Sequence, residues 1–175
     1  MNDSRAIAET ERLIIREMTT DDAAFVLELI NTPKFHKYIA DRGVRTVEQA
    51  ERYIEERFSA NYEKNGFGML AVCLRDGTPI GNCGFVSRDT LPGPDIGFAF
   101  LPEYEGKGYA LESARAMMQY GEKALGFTDV FANTSLENES SIKLLEKLGL
   151  TFQRVIQQDG EQLRLFHIDL TTHDS

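Results

Sequence analysis

The chain has 175 residues, 42% of them hydrophobic and 27% charged, with a formal net charge of -9, a make-up that predicts one soluble globular domain over residues 1–175. No apolar run nears the ~18 residues of a membrane span, and the first ten residues lack the basic start and apolar middle of a secretion signal, so the expected location is the cytoplasm, with no membrane partner. The acidic balance argues against nucleic acid as a partner, and Cys73, Cys83, His36, His167 and His173 are too scattered for a metal-ligand pattern, so no metal is expected.

In chain order, RLIIREM at residues 12–18 is rich in β-formers and predicts a first strand. Thr20 as N-cap, acids in the first turn, and Phe25, Leu29 and Ile30 on one face predict a helix that Pro33 ends. Thr46 opens a second helix to about residue 64, through Val47, Ala50, Tyr53, Ile54 and Phe58. FGMLAVCLR and PIGNCGFVS around Asp76-Gly77 predict a hairpin, and its two-residue loop would set Ile80, rather than Cys83, opposite Cys73, which argues against a disulfide. Asp95 leads into the strand IGFAFL, which Pro102 closes. EGKGYA enters a helix over residues 108–125 with Leu111, Ala114, Met118 and Leu125 on one face. TDVFANT is a further strand. Asn138 begins a helix with Ile142, Leu145 and Leu148 inward and Gly149 at its end, and a last hairpin turns at Asp159-Gly160. Only residues 1–8 and 172–175 read as disordered. The order β-α-α-β-β-β-α-β-α-β-β predicts an α/β fold, a mixed sheet with helices on both faces.

Gly106 and Gly108 flank Lys107 just before the long helix. A dinucleotide fingerprint would need a glycine at Leu111, and a phosphate-binding P-loop would need glycine at Leu101 and serine or threonine at Gly108, so neither motif is present. Two readings stay open: a plain tight turn, or a cradle in which the first N–H groups of the helix, unpartnered within it, hold a pyrophosphate. Lys107 is either an added cation there or a solvated surface lysine.

LPEYEGKGYALESARAM resembles the acetyl-CoA pyrophosphate loop of the GNAT acetyltransferase superfamily, and NESSIKLLEKLGL resembles the Asn-containing helix that follows it. ETERLIIREMTTDDA is similar to the start of the RimJ and RimL ribosomal-protein N-terminal acetyltransferases, and the likeness runs over residues 9–169. The resemblance implies a mixed, mostly antiparallel, splayed central sheet, acetyl-CoA as co-substrate and an amine acceptor. The family's loop usually begins with Gln or Arg; Glu105 stands there, and its side chain, which would repel a phosphate, is expected to turn to solvent.

Carried over residue by residue, the resemblance implies that Phe100 and Leu101 meet the cofactor through their main chain. Gly106, Lys107, Gly108, Tyr109, Ala110 and Leu111 would cradle its pyrophosphate. Asn138 would bond the CoA arm, against a plain role as N-cap; Ser141 would face the thioester sulfur, against a solvated helix serine. Asp95 would act as general base through a water, against an ordinary strand-start acid. Leu145 stands where many family members have the tyrosine that protonates the leaving thiolate, which points to Ser141 or water for that task. The acceptor is either a protein N-terminal α-amine or a small amine of polyamine, antibiotic or amino-acid type. The acidic surface would attract a cationic one, and residues 35–45 with Phe166 in the last hairpin would select it. A catalytically weak acyl-CoA-binding module is the reading that Glu105 and Leu145 favour instead. Monomer and homodimer are both compatible with the sequence.

Overall fold

In the segment LIIR, alternation sends Leu13 and Ile15 to one side of a strand at full burial while Ile14 and Arg16 face the other. The computed structural model, which describes residues 6–173, builds this strand into an eight-stranded sheet. The strands are β1 (Ala6–Glu9), β2 (Leu13–Arg16), β3 (Met69–Leu74), β4 (Pro79–Val86), β5 (Asp95–Phe100), β6 (Asp129–Ser135), β7 (Thr151–Gln158) and β8 (Glu161–Asp169). Their spatial order is β1-β2-β3-β4-β5-β6-β8-β7. Every neighbouring pair is antiparallel except β5 and β6, which run parallel.

Helices cover both faces. On one side α1 (Ala23–Leu29), α2 (Pro33–Tyr38) and α3 (Val47–Ile54) bury Phe25, Leu29, Phe35 and Ile54 against Ala71 and Cys73 of β3. A π-turn over Glu55–Ser59 joins α3 to α4 (Ala60–Asn65). On the other side α5 (Tyr109–Lys123) and α6 (Glu139–Lys147) bury Ala114, Met117 and Leu145 against Leu70, Val72 and Phe85. β3 thus sends alternate residues into two separate cores, as its pleat requires.

Several expectations are corrected. Residues 6–8 form β1 on the edge of the sheet rather than a disordered end, and a 3-10 turn (Leu170–His173) takes in residues 172 and 173; residues 1–5, 174 and 175 lie outside the described residues. Thr19, not Thr20, caps the first helical segment, because its side chain accepts from the Asp21 N–H while Asp22 reaches back to the Thr19 N–H in a capping box. Asp22 also accepts two bonds from Arg16, at 2.9 and 2.8 Å. α1 already stops at Leu29, and Pro33, rather than ending it, begins α2 as its first residue, capped by Thr32. In the β3–β4 hairpin the register shifts, and Cys73 faces Pro79 instead of Ile80. Cys73 and Cys83 are buried free thiols, and burial pushes that of Cys83 up to about 12.

The arrangement at β5 positions everything that follows. β5 pairs with β4 along its whole length, from Val86↔Asp95 to Gly81↔Phe100, but meets β6 at a single pair, Asp95↔Phe131. Beyond Asp95 the two parallel strands diverge. Close approach of β3 and β4 beside this split depends on Gly84: a Cβ there would stand 2.2 Å from the Gly68 carbonyl oxygen and 2.8 Å from Met69 Cα. Both obstacles are backbone, so Gly84→Ala is expected to cost about 1–3 kcal/mol of stability, read as a lower urea midpoint at unchanged slope.

Candidate active site

Two cavities meet in the opening between β5 and β6. A groove of about 390 Å³ runs between β5, the glycine turn and α6, and a cavity of about 170 Å³ lies behind it against β4, β6 and α3. Phe35 and Ile39, Phe98 and Ala99, and Ser141 line both, so the two spaces share a wall at the split in the sheet.

The groove's upper end is built by glycine. Gly106 and Gly108 have φ of 75° and 86°, a region open to glycine at no steric cost. Gly108 is the N-cap of α5 and has no side chain to cap it, while the first helical bond of this turn is Glu112 N–H to the Gly108 carbonyl at 3.0 Å. The N–H groups of Tyr109, Ala110 and Leu111 therefore begin a 15-residue helix without an intrahelical partner, and all three residues line the groove. The helix dipole makes this end favourable to an anion by about 0.3–1 kcal/mol. Lys34, Lys143 and Lys147 add cations to the same groove.

Glu105 is exposed at the rim of the groove that it also lines, and its carboxylate is matched by Lys34 Nζ at 2.9 Å, an ion pair from α2 to the glycine turn. The carboxylate's repulsion of a phosphate is thereby offset locally.

A second clamp, absent from the expectations, holds the turn from behind. Arg12, in the link between β1 and β2, donates from Nη1 to the Lys107 carbonyl at 3.0 Å and from Nε to Glu112 Oε1 at 2.6 Å. Its guanidinium sits 4.4 Å from the centroid of the Tyr109 ring. Glu112 also accepts from Thr10 Oγ1 at 2.5 Å and from the Arg12 N–H at 3.1 Å. Burial opposes ionisation of Glu112, yet the bonds from Thr10 and Arg12 outweigh it and hold the carboxyl below its ordinary range. The ETER segment thus reaches the turn through side chains.

The other expected residues divide. Phe100 lines the groove; Leu101 does not, for its side chain is in the core under α1–α3, its N–H donates to Ile80 and its carbonyl accepts from Tyr104. Lys107 is outside the groove lining and presents its carbonyl to Arg12. Asn138 caps α6, accepting from the Ser141 N–H at 3.3 Å and Ser140 Oγ at 3.2 Å. Ser141 lies at the shared wall, and Leu145 lines the inner cavity. Of the last hairpin, Phe166 is core.

Asp95 sits at the apex of the split, 4% exposed. Arg88 Nε donates to its Oδ2 at 2.5 Å and Asn133 Nδ2 to the same oxygen at 3.1 Å. Burial raises its carboxyl to about 6, against the pull of Arg88 and Asn133. Both bonds fall on Oδ2, which leaves Oδ1 open to take a proton.

The profile of an acetyltransferase (GNAT) domain family matches residues 12–151. The uncharacterised N-acetyltransferase YnaD of Bacillus subtilis (strain 168) is 34% identical over 157 residues, which cover 87% of this chain and 89% of its own. Among solved structures, a GNAT-family acetyltransferase from Bacillus anthracis has a TM-score of 0.78 at 26% identity, over 93% of this chain and 98% of that one. RimL, the ribosomal L7/L12 alpha-N-protein acetyltransferase in complex with coenzyme A, has a TM-score of 0.82 at 12% identity, over 94% and 98%. That last likeness is one of fold alone.

The Arg12 clamp yields a direct test. Arg12→Ala is expected to lower the unfolding free energy by about 1 kcal/mol, through loss of the ring contact and the partly exposed ion pair. Arg12→Lys should recover less than half of it, because an ammonium cannot reach carbonyl, carboxylate and ring together; urea denaturation of the three proteins decides.

Proposed function

The chain belongs to the GNAT acetyltransferase family and is an acetyl-CoA-dependent N-acetyltransferase, and we propose that its reaction runs at the split between β5 and β6, by direct attack of a primary amine in a ternary complex. The observation that carries this reading is the uncapped start of α5 opening onto the unpaired edge of β5. The Tyr109, Ala110 and Leu111 N–H groups with Lys34, Lys143 and Lys147 suit a polyanionic pyrophosphate chain. The free edge of β5 from Ile96 to Phe100 offers main-chain groups to an amide-bearing arm, as an added strand would use them. Gly106 gives the close approach. Lys107, Leu101 and Asn138 take supporting parts: the first two hold the turn and the strand end through their backbones, and Asn138 fixes the start of α6 beside the arm.

When bound, acetyl-CoA supplies an activated acetyl thioester. The amine nitrogen bonds to the acetyl carbon and the C–S bond breaks. Asp95 Oδ1, the open oxygen, receives the amine's proton through a water, while Oδ2 is held by Arg88 and Asn133. A backbone N–H of β5 stabilises the oxygen of the tetrahedral species. The thiolate, with a thiol pKa of ~8.5, takes its proton from water or from Ser141 Oγ at the shared wall. Leu145 leaves no phenol for that step. An α-amine at a protein N-terminus and the amine of a small molecule both present the group this chemistry needs, and the cytoplasm is where acetyl-CoA and either acceptor would meet.

Two measurements test the reading. Gly108→Val adds a side chain at φ 86° with a Cβ 3.2 Å from Arg12 Nη2, and it is expected to weaken calorimetric binding of acetyl-CoA by at least about tenfold while circular dichroism stays that of a folded protein. A folded variant that binds like wild type would remove the cradle. For Asp95, the carboxyl must be ionised to accept a proton, so with its value raised to about 6 the rate should rise with pH through about 6 and level off above it. Asp95→Asn should lose that limb and roughly 10²–10⁴-fold in kcat at pH 7; a variant that keeps both turnover and limb excludes Asp95 as the base.

A further inference from the structure

The inner cavity says more about the acceptor than the surface does. Its lining holds three charged side chains, Arg42, Arg88 and Asp95, contributed by the loop after α2, the loop after β4 and the start of β5. α3, the π-turn and β3 contribute Tyr53, Phe58 and Met69, with no charge. Asp95, the lone acid, is already matched by Arg88. Arg88 spends one of its five N–H donors on that bond, and Arg42, exposed at the cavity's mouth, makes no hydrogen bond or ion pair among the described residues. With Arg88 and Asp95 matched, Arg42 leaves the cavity one net positive charge, which disfavours a polycation whatever the net charge of the surface. It favours a ligand that carries an anion as well as an amine.

A second observation points to a ligand independently. Asn82, on β4 opposite Ala99, lines the same cavity at 5% exposure, and its Oδ1 has no hydrogen-bond partner. Buried polar atoms are rarely left so, and an N–H of a ligand seated in the cavity would satisfy this oxygen. The volume of about 170 Å³ is below the roughly 300–1,000 Å³ of sites for drug-sized ligands. It suits one amino-acid-sized molecule.

Resting on the acetyltransferase reading, we propose that the acceptor is a small amine bearing a carboxylate, of amino-acid type. Arg42, with the free donors of Arg88, holds the carboxylate, and the amine faces Asp95 within the same cavity. Arg42 is then a specificity-determining residue rather than part of the chemical step.

The test compares common α-amino acids, their carboxamides and spermidine as acceptors at saturating acetyl-CoA, in wild type and Arg42→Gln, by release of free thiol. Wild type is expected to favour an amino acid over its carboxamide by roughly 10- to 100-fold in kcat/KM, and Arg42→Gln to reduce that preference to about twofold or less with acetyl-CoA affinity unchanged. Carboxamides or spermidine turned over as well as the acids, no amino acid accepted, or an Arg42→Gln enzyme that keeps the preference would each overturn the proposal. Failure of the underlying reading looks different: wild type then gives no heat with acetyl-CoA alone, and the acceptor proposal falls with it.

Discussion

One missing set of backbone bonds organises this molecule. β5 and β6 meet at the pair Asp95↔Phe131 and then part, and the two cores hold them apart: α5 and α6 pack on one face, α1–α3 on the other. Parallel neighbours that diverge leave a row of N–H and C=O groups on β5 without ladder partners. Such an edge is a hazard at the rim of a sheet. In the middle of one, with helices on both faces, the same groups open onto a groove. Asp95 is at its apex, so the residue that ends the pairing also supplies the open carboxylate oxygen.

The same economy governs charge. A chain of net charge -9 has no broad positive field to offer an anion, and its attraction for one is local. Three unpartnered N–H groups at a helix start, with Lys143 and Lys147 on the groove, form that local field. Lys34 is matched with Glu105, the acid in the turn. Behind the turn, Arg12 and Glu112 tie the Lys107 carbonyl and the Tyr109 ring to the β1–β2 link, so the turn's N–H groups are aimed before any ligand arrives. Preorganised donors avoid ordering costs at the moment of binding.

Legibility followed range. Gly106, Gly108 and the helix after them were readable because a positive φ and an open helix start are local demands that local residue types reveal. Asp95 was readable as a strand-start acid, but its standing as a raised, half-open carboxylate depends on Arg88 and Asn133 and on burial. Thr19 was mistaken for Thr20 because adjacent threonines offer the same cap, and only the backbone bonds choose. The short helix α2 is not legible locally because a proline can be read as the stop after one helix or as the first residue of the next.

By itself the sequence determined the alternation of strands and helices, the glycine turn into α5 and the absence of a tyrosine at Leu145, since each is written in neighbouring residues. Tertiary structure alone decided that β1 joins the sheet, that Glu105 faces Lys34 across the groove, that Arg12 reaches Lys107, and that Asn82, Arg42 and Asp95 share one cavity. The physical reason is that these contacts join residues far apart in the chain. Their partners are chosen by how two faces of one sheet are packed, which no local propensity encodes.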